Sequence, residues 1–191
     1  MSKVLDATLS VLAEKGYQGT TTSLVAATAG VSRGAMLHHF PTRSSLFVAT
    51  AGRLLESEVA AFRKAMGSIP EGADRYHAAI DFLWTTFQSD VHLAWNELSL
   101  GSRSDPEASD EIAEAGTLIH SRIAETWVEV FPEAKGLGFA DIAPDFATAL
   151  LDGLAQRKLT GSITDERAQQ VVESLKGLST LLLAPPQGDP T

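Results

Sequence analysis

The chain contains no cysteine, which excludes a disulfide framework, a thiolate metal site and a cysteine nucleophile, and removes any argument for an oxidising compartment. Nowhere do about 18 apolar residues run uninterrupted, so no segment is expected to span a membrane. The start, MSKVLDATLSVLAEKG, has Asp6 inside its apolar stretch and continues as an amphipathic helix, unlike a secretory signal. A cytoplasmic protein follows by default. Sustained strand alternation is also missing. A last scarcity is local: Thr20 to Arg43, TTTSLVAATAGVSRGAMLHHFPTR, has no acidic residue in a chain whose formal net charge is −9.

What is present is ordinary in bulk and uneven in placement. The 191 residues are 44% hydrophobic and 20% charged, as in a soluble globular protein, and long enough for a small head on a larger body. Residues 1–50 carry Lys3, Lys15, Arg33 and Arg43 against Asp6 and Glu14, a balance of +2, whereas residues 51–191 sum to −11. A slightly positive head on a negative body suits a nucleic-acid contact confined to the head, because phosphate repels the rest.

Helical periodicity dominates. Val4, Leu5, Leu9 and Leu12 predict a first helix closed by Gly16, a natural C-terminal cap. Thr21 or Thr22 starts a short second helix that ends at Gly30, and Ser32 starts a third over about 33–39, before Phe40 and Pro41 break it. Thr42 caps a long fourth helix to about Met66. After the loop GSIPEG, helices are expected at about 74–89, 91–101, 107–131, 141–159 and 165–183, the last capped by Thr164. The fold class is therefore all-α, with about nine helices. The expected domains are a head over 1–47, a helical body over 48–184 and a flexible tail over 185–191.

Two short helices joined by Ala29-Gly30-Val31 and packed on a first helix form a helix-turn-helix pattern, in which Gly30 supplies the positive φ that swings the third helix across the second. Ala35, Met36 and Phe40 are placed inward and Arg33, Gly34, Leu37 and His38 outward. That outward face offers donors and a small residue to a major groove, and no carboxylate. Thr22 and Ser32 are either plain helix caps or phosphate contacts. Gly34 in a surface helix costs about 1 kcal/mol relative to Ala, a hint of close approach. His38 and His39 are surface residues or, on a less favoured reading, metal ligands; neighbours on a helix point about 100° apart and do not chelate as an i, i+4 pair does. Arg43 opposes the dipole of the helix it starts, which an outside anion would explain.

The segment LAEKGYQGTTTSLVAATAGVSRGAMLHHFPTRSSLF, residues 12–47, resembles the DNA-binding head of the tetracycline-repressor (TetR) family of bacterial transcriptional regulators. The likeness rests on Gly16-Tyr17, the Thr run, Ala26, Gly30-Val31-Ser32, Gly34, His39-Phe40 and Arg43 in one spacing. It implies that Thr22 contacts phosphate, that Arg33, Gly34 and His38 face bases or backbone in the groove, and that His39 and Arg43 clamp phosphates. Leu37 stands where many members have a phosphate-bonding Tyr, and so touches a thymine methyl or lies against sugar.

The same resemblance assigns the body to a small-molecule effector and to dimerisation. Phe62, Trp84, Phe87, His92, Trp95, Asn96, His120 and Trp127 are the candidate effector contacts, since pockets are mostly apolar with a few polar fixings; the alternative for each aromatic is core. Glu97 and Asp152 are candidate buried carboxylates, with helix-end or salt-bridge roles as the alternative. Phe146, Leu150, Leu151 and Leu154 form one stripe, and Val171, Leu175, Leu178 and Leu182 another, either core or half of an intersubunit four-helix bundle; the resemblance favours a dimer interface built from Phe146, Leu150, Leu154, Val171, Leu175, Leu178 and Leu182. The expected partners are double-stranded DNA with a palindromic operator, an unknown effector and a second copy of the chain, with no membrane, cofactor or metal. The function that follows is a ligand-responsive regulator, released from its operator by the effector. A helical enzyme is the rival reading, but the chain has no Ser-His-Asp pattern, phosphate-cradling Gly loop or H-E-x-x-H signature.

Overall fold

Threonine and serine hydroxyls start five of the helices in the computed structural model, which describes residues 1–70, 74–136 and 138–183. Helix α1 spans Ser2–Gly19, α2 Thr22–Ala29, α3 Arg33–His39, α4 Arg43–Gly67, α5 Arg75–Phe87, α6 Asp90–Gly101, α7 Ser109–Val130, α8 Ala143–Leu159 and α9 Asp165–Leu182. Nine α-helices and no strand occur among the described residues, so the fold is all-α as the periodicity predicts. The expected tail, 185–191, lies outside the described residues.

The starts follow from local chemistry. The Thr21 hydroxyl accepts from the Leu24 N–H at 3.2 Å, Ser32 from Ala35 at 3.1 Å, Ser89 from His92 at 3.2 Å and Thr164 from Arg167 at 3.2 Å. Each satisfies one of the free donors of a first turn. At α4 the arrangement is reciprocal: Thr42 Oγ1 accepts from the Ser45 N–H at 2.9 Å, and Ser45 Oγ accepts from the Thr42 N–H at 3.1 Å. The cap of α2 is thus Thr21. Thr22, the other residue that the sequence offered for this place, is the first residue of the helix.

Two glycines shape the head. Gly30 has φ 67° and ends α2, with the Val31 N–H reaching back to the Ala26 carbonyl, a closure that leaves the chain turned toward α3. Gly16 has φ 70° and ψ 177° and breaks α1 before its last few residues.

Two compact units divide the described chain: Met1–Ala60 with Gln88–Arg122, and Ala61–Phe87 with the residues from Ile123 onward. The division does not follow the boundary expected at residue 47, because α6 and the start of α7 pack against α1. In the first unit Val4, Leu5, Ala7 and Val11 of α1 meet Val25 and Ala26 of α2, Met36 of α3, Phe40 and Leu46. A second cluster joins Leu12, Tyr17, Phe47 and Ala51 to Ala94 and Leu98 of α6 and Ala108 and Ile112 beside α7. The second unit holds one core of Ile80, Trp84, Leu151, Leu154, Ala155, Ala168, Val172 and Leu175, and another around Met66, Ala79, Phe131 and Leu183.

Candidate nucleic-acid interface

Helix α3 is short, and its orientation is set by one buried side chain and one exposed face. Met36 is 1% exposed, held between Val25, Phe40 and Leu46. Arg33, Gly34, Ala35, His38 and His39 are exposed, and Leu37 is half-buried. Ala35, placed inward by the sequence reading, is therefore part of the outward face; Met36 and Phe40 alone fill the space above α1 and α2. No atom lies within 4 Å of where a Gly34 side chain would begin, so nothing inside the chain demands glycine there.

The electrostatics narrow the face further. Arg53 pairs with Asp6 at 2.9 Å and Lys15 with Glu14 at 2.6 Å. Among the described residues Arg33 makes no ion pair or hydrogen bond, so its guanidinium is free for an outside partner. The His38 and His39 rings stand 5.3 Å apart, edge to face. Among the described residues no group of three or more His, Cys, Asp and Glu is placed to hold a metal ion. Ser32 is exposed and Thr22 half-buried at the two helix starts.

Arg43 departs from its expected role. Its Nε donates to the Thr20 carbonyl at 3.0 Å, another of its nitrogens donates to the Tyr17 carbonyl, and a third lies 3.6 Å from the Asp105 carboxylate. The guanidinium also sits over the Tyr17 ring at 4.2 Å and the Phe47 ring at 4.8 Å. Two carbonyls, two aromatic faces and Asp105 thus engage the charge that the sequence reading gave to a phosphate, and 29% of the Arg43 side chain stays exposed.

Around Arg43 lies a network that the sequence did not reveal. The Tyr17 hydroxyl donates to Asp105 at 2.8 Å, and the Tyr17 N–H donates to Glu97 at 3.1 Å. Burial first, then the hydrogen bond and charge of Asp105, push the Tyr17 phenol up to about 12, against an opposing pull from Arg43. Glu97, read as a candidate buried carboxylate, is thus an acceptor for the chain break at Gly16. The Ser44 hydroxyl donates to Glu111 at 3.0 Å. Asp105 belongs to SRSDPEAS, which reads only as a break between helices; its partner Tyr17 is 88 residues away, and no local spacing connects them.

The expected effector contacts are found in both units. His92, Trp95, Asn96 and His120 belong to the first unit, and Phe62, Trp84, Phe87 and Trp127 to the second. Trp84 is 8% exposed in the α5–α8–α9 core, where the Lys158 ammonium lies 5.5 Å from its ring, and Phe87 packs against the same core. Trp127 meets Tyr76 and Phe131 at tilted ring angles, and Phe62 meets Phe82 at 5.5 Å. His120 is exposed. Burial raises the Glu58 carboxyl on α4 above its ordinary range, with His92 on α6 pulling the other way.

The expected dimer residues also divide. Leu154 and Leu175 are each 4% exposed within their own chain's core, and Leu150 and Val171 pack against it. α5 covers Leu154 and Leu175 from within the same chain, which corrects their assignment to an intersubunit face, whereas Leu150 and Val171 are half-buried. Phe146, Leu178 and Leu182 remain exposed, joined by Leu181. No helix among the described residues is long and apolar enough to cross a membrane.

Comparison with known proteins agrees with this geometry. A profile of the bacterial regulatory proteins of the tetR family matches residues 4–50. The HTH-type transcriptional regulator CymR of Pseudomonas putida is 31% identical over 160 residues, covering 82% of this chain and 78% of that one. The HTH-type transcriptional regulator BetI of Burkholderia mallei is 29% identical over 171 residues, 87% of this chain and 86% of that one. Among solved structures, FadR of Bacillus subtilis in complex with stearoyl-CoA superposes with a TM-score of 0.66 at 18% identity, covering 91% of this chain and 96% of that one. A helix-turn-helix whose reading helix exposes an unpaired Arg33, with a relative 31% identical over most of both chains, places the chain in the TetR family of bacterial DNA-binding transcriptional regulators.

Proposed function

We propose that the protein is a homodimeric repressor that leaves a palindromic operator when its body binds a small molecule. The observation that carries the DNA-reading part is the outward face of α3: Arg33 without an internal partner, Gly34 and Ala35 small enough for close approach, and no carboxylate between Thr20 and Arg43. Arg33 and His38 face base edges, Leu37 and Ala35 face apolar base surface, and Thr22, Ser32 and His39 lie toward the backbone. Arg43 is left out of this set.

The exposed apolar residues of α8 and α9, Phe146, Leu178, Leu181 and Leu182, are the side we assign to the second subunit. A two-fold dimer sets two α3 helices about 34 Å apart, one turn of DNA. For the effector, the half-buried residues are the candidates: His92, Trp95 and Asn96 in one unit, Phe62, Phe87 and Trp127 in the other. Stearoyl-CoA in the FadR complex supports a ligand that carries an apolar chain. The site of action is the cytoplasm, where the DNA is.

The test is selection of bound duplexes from a random pool, followed by titration of the selected site. Arg33→Ala is expected to weaken operator binding by about tenfold or more. Unchanged affinity at physiological salt would remove Arg33 from the interface.

A further inference from the structure

Asp105 is an acidic residue on the connection between α6 and α7; one carboxylate oxygen accepts from the Glu107 N–H at 3.2 Å within that connection, and the other faces the DNA-reading head. Its carboxylate accepts from the Tyr17 hydroxyl at 2.8 Å and faces the Arg43 guanidinium at 3.6 Å, with 27% and 29% of the Asp105 and Arg43 side chains exposed. Arg43 in turn holds the carbonyls of Tyr17, near the end of α1, and Thr20, next to the α2 cap Thr21, and starts α4. Three chain ends thus converge on one guanidinium: the end of α1, the entry to α2 and the beginning of α4. Val25 of α2 and Leu46 of α4 pack around Met36 of α3, together with Phe40 at the end of α3 itself.

Tyr17 is pinned on its other sides as well. Its N–H donates to Glu97 across the break at Gly16, and at Gly101 a side-chain carbon would overlap the Tyr17 side chain. α6 therefore rests directly on this residue, and only glycine leaves the room. Ser44, next to Arg43, donates to Glu111 on α7. Four residues of the α6–α7 stretch, Glu97, Gly101, Asp105 and Glu111, meet the head at Tyr17, Arg43 and Ser44.

We infer that Asp105 is a positioning residue for DNA reading: through Tyr17 and Arg43 it sets the placement of α2 and α4 around α3, although it touches no DNA itself. This rests on the DNA-reading assignment above and predicts a sign opposite to simple electrostatics. Near phosphate, removing a carboxylate strengthens binding. Removing this one weakens operator binding, because it releases Arg43 from one side and the Tyr17 hydroxyl from another.

The experiment uses the full-length protein and two duplexes: one selected by the wild-type protein from a random pool, and one of scrambled sequence. Asp105→Asn and Tyr17→Phe are each expected to lower affinity for the selected duplex about tenfold, to leave affinity for the scrambled duplex unchanged, and to leave the slope of log K against log salt unchanged. The double variant is expected to lose no more than the worse single one, since both act through one contact. Equal or tighter binding of the selected duplex by Asp105→Asn overturns the proposal. So does an equal loss on both duplexes, which marks a smaller folded fraction instead. Arg43→Lys separates the remaining alternative: a phosphate-contacting residue keeps its affinity with the charge retained, whereas here the planar fork between two carbonyls is lost and operator affinity falls. Should the wild-type protein select no duplex at all, the DNA-reading assignment fails first and this one with it; selection by wild type with unaltered variants fails this one alone.

Discussion

The Tyr17 hydroxyl, bonded to Asp105 and raised to about 12, ties the head's stability to alkaline pH. A phenol held above its ordinary value of 10.0 in the folded state contributes stability that is fully present below that ordinary value and is lost as pH rises through the folded one. Melting temperature is thus expected to fall more steeply between pH 10 and 12 for the wild type than for Tyr17→Phe, which has no proton to lose; parallel profiles would show that the hydroxyl is not held. Leu37 makes a second residue-scale prediction. A half-buried apolar side chain on the reading face is matched by the 5-methyl group of thymine, so replacing operator thymines with uracil is expected to weaken wild-type binding a few-fold and to leave Leu37→Ala indifferent. Equal binding of both duplexes by the wild type would place Leu37 against sugar. The charge of Arg43 was visible in the sequence and its destination was not: a guanidinium at the start of a helix looks unpaired until the folded chain brings Tyr17, Phe47 and Asp105 to it.

Helices and turns were legible wherever their causes are local. Ser32, Thr42 and Thr164 cap the helices that they were expected to start, since a cap needs only a hydroxyl three residues before a free N–H. Gly30 turns as expected because a positive φ of 67° is a backbone property of that one residue. The start of α2 stayed open between Thr21 and Thr22, neighbours in a run of three threonines, where side-chain chemistry does not discriminate. Gly101 differs in kind: its backbone is ordinary helix, and only the approach of α6 to Tyr17 requires it. Gly101→Ala is expected to destabilise the protein by about 1–3 kcal/mol in denaturant melts, whereas Gly34→Ala, with open space around it, is expected to stabilise α3 by up to about 1 kcal/mol. If both behave alike, the close packing of α6 on Tyr17 is wrong.

In the whole molecule the apolar stripes of α8 and α9 have two sides. Leu154 and Leu175 face inward, and Leu154→Ala is expected to cost about 2–5 kcal/mol of stability through the cavity left behind. Leu178 is 42% and Leu181 77% exposed, and Leu178→Lys with Leu181→Lys is expected to convert dimer to monomer by light scattering while leaving the melting of each chain nearly unchanged. A monomeric wild type would overturn the interface. Helix content, caps, the head's turn and the absence of carboxylates on the reading face were determined by the sequence alone, because each depends on residues within a turn or two of one another. The tertiary structure decided which face of a stripe is core, that Arg43 points inward and that Asp105 reaches Tyr17. These depend on which helices come to lie together, and spacing along the chain does not encode contacts made across about 90 residues.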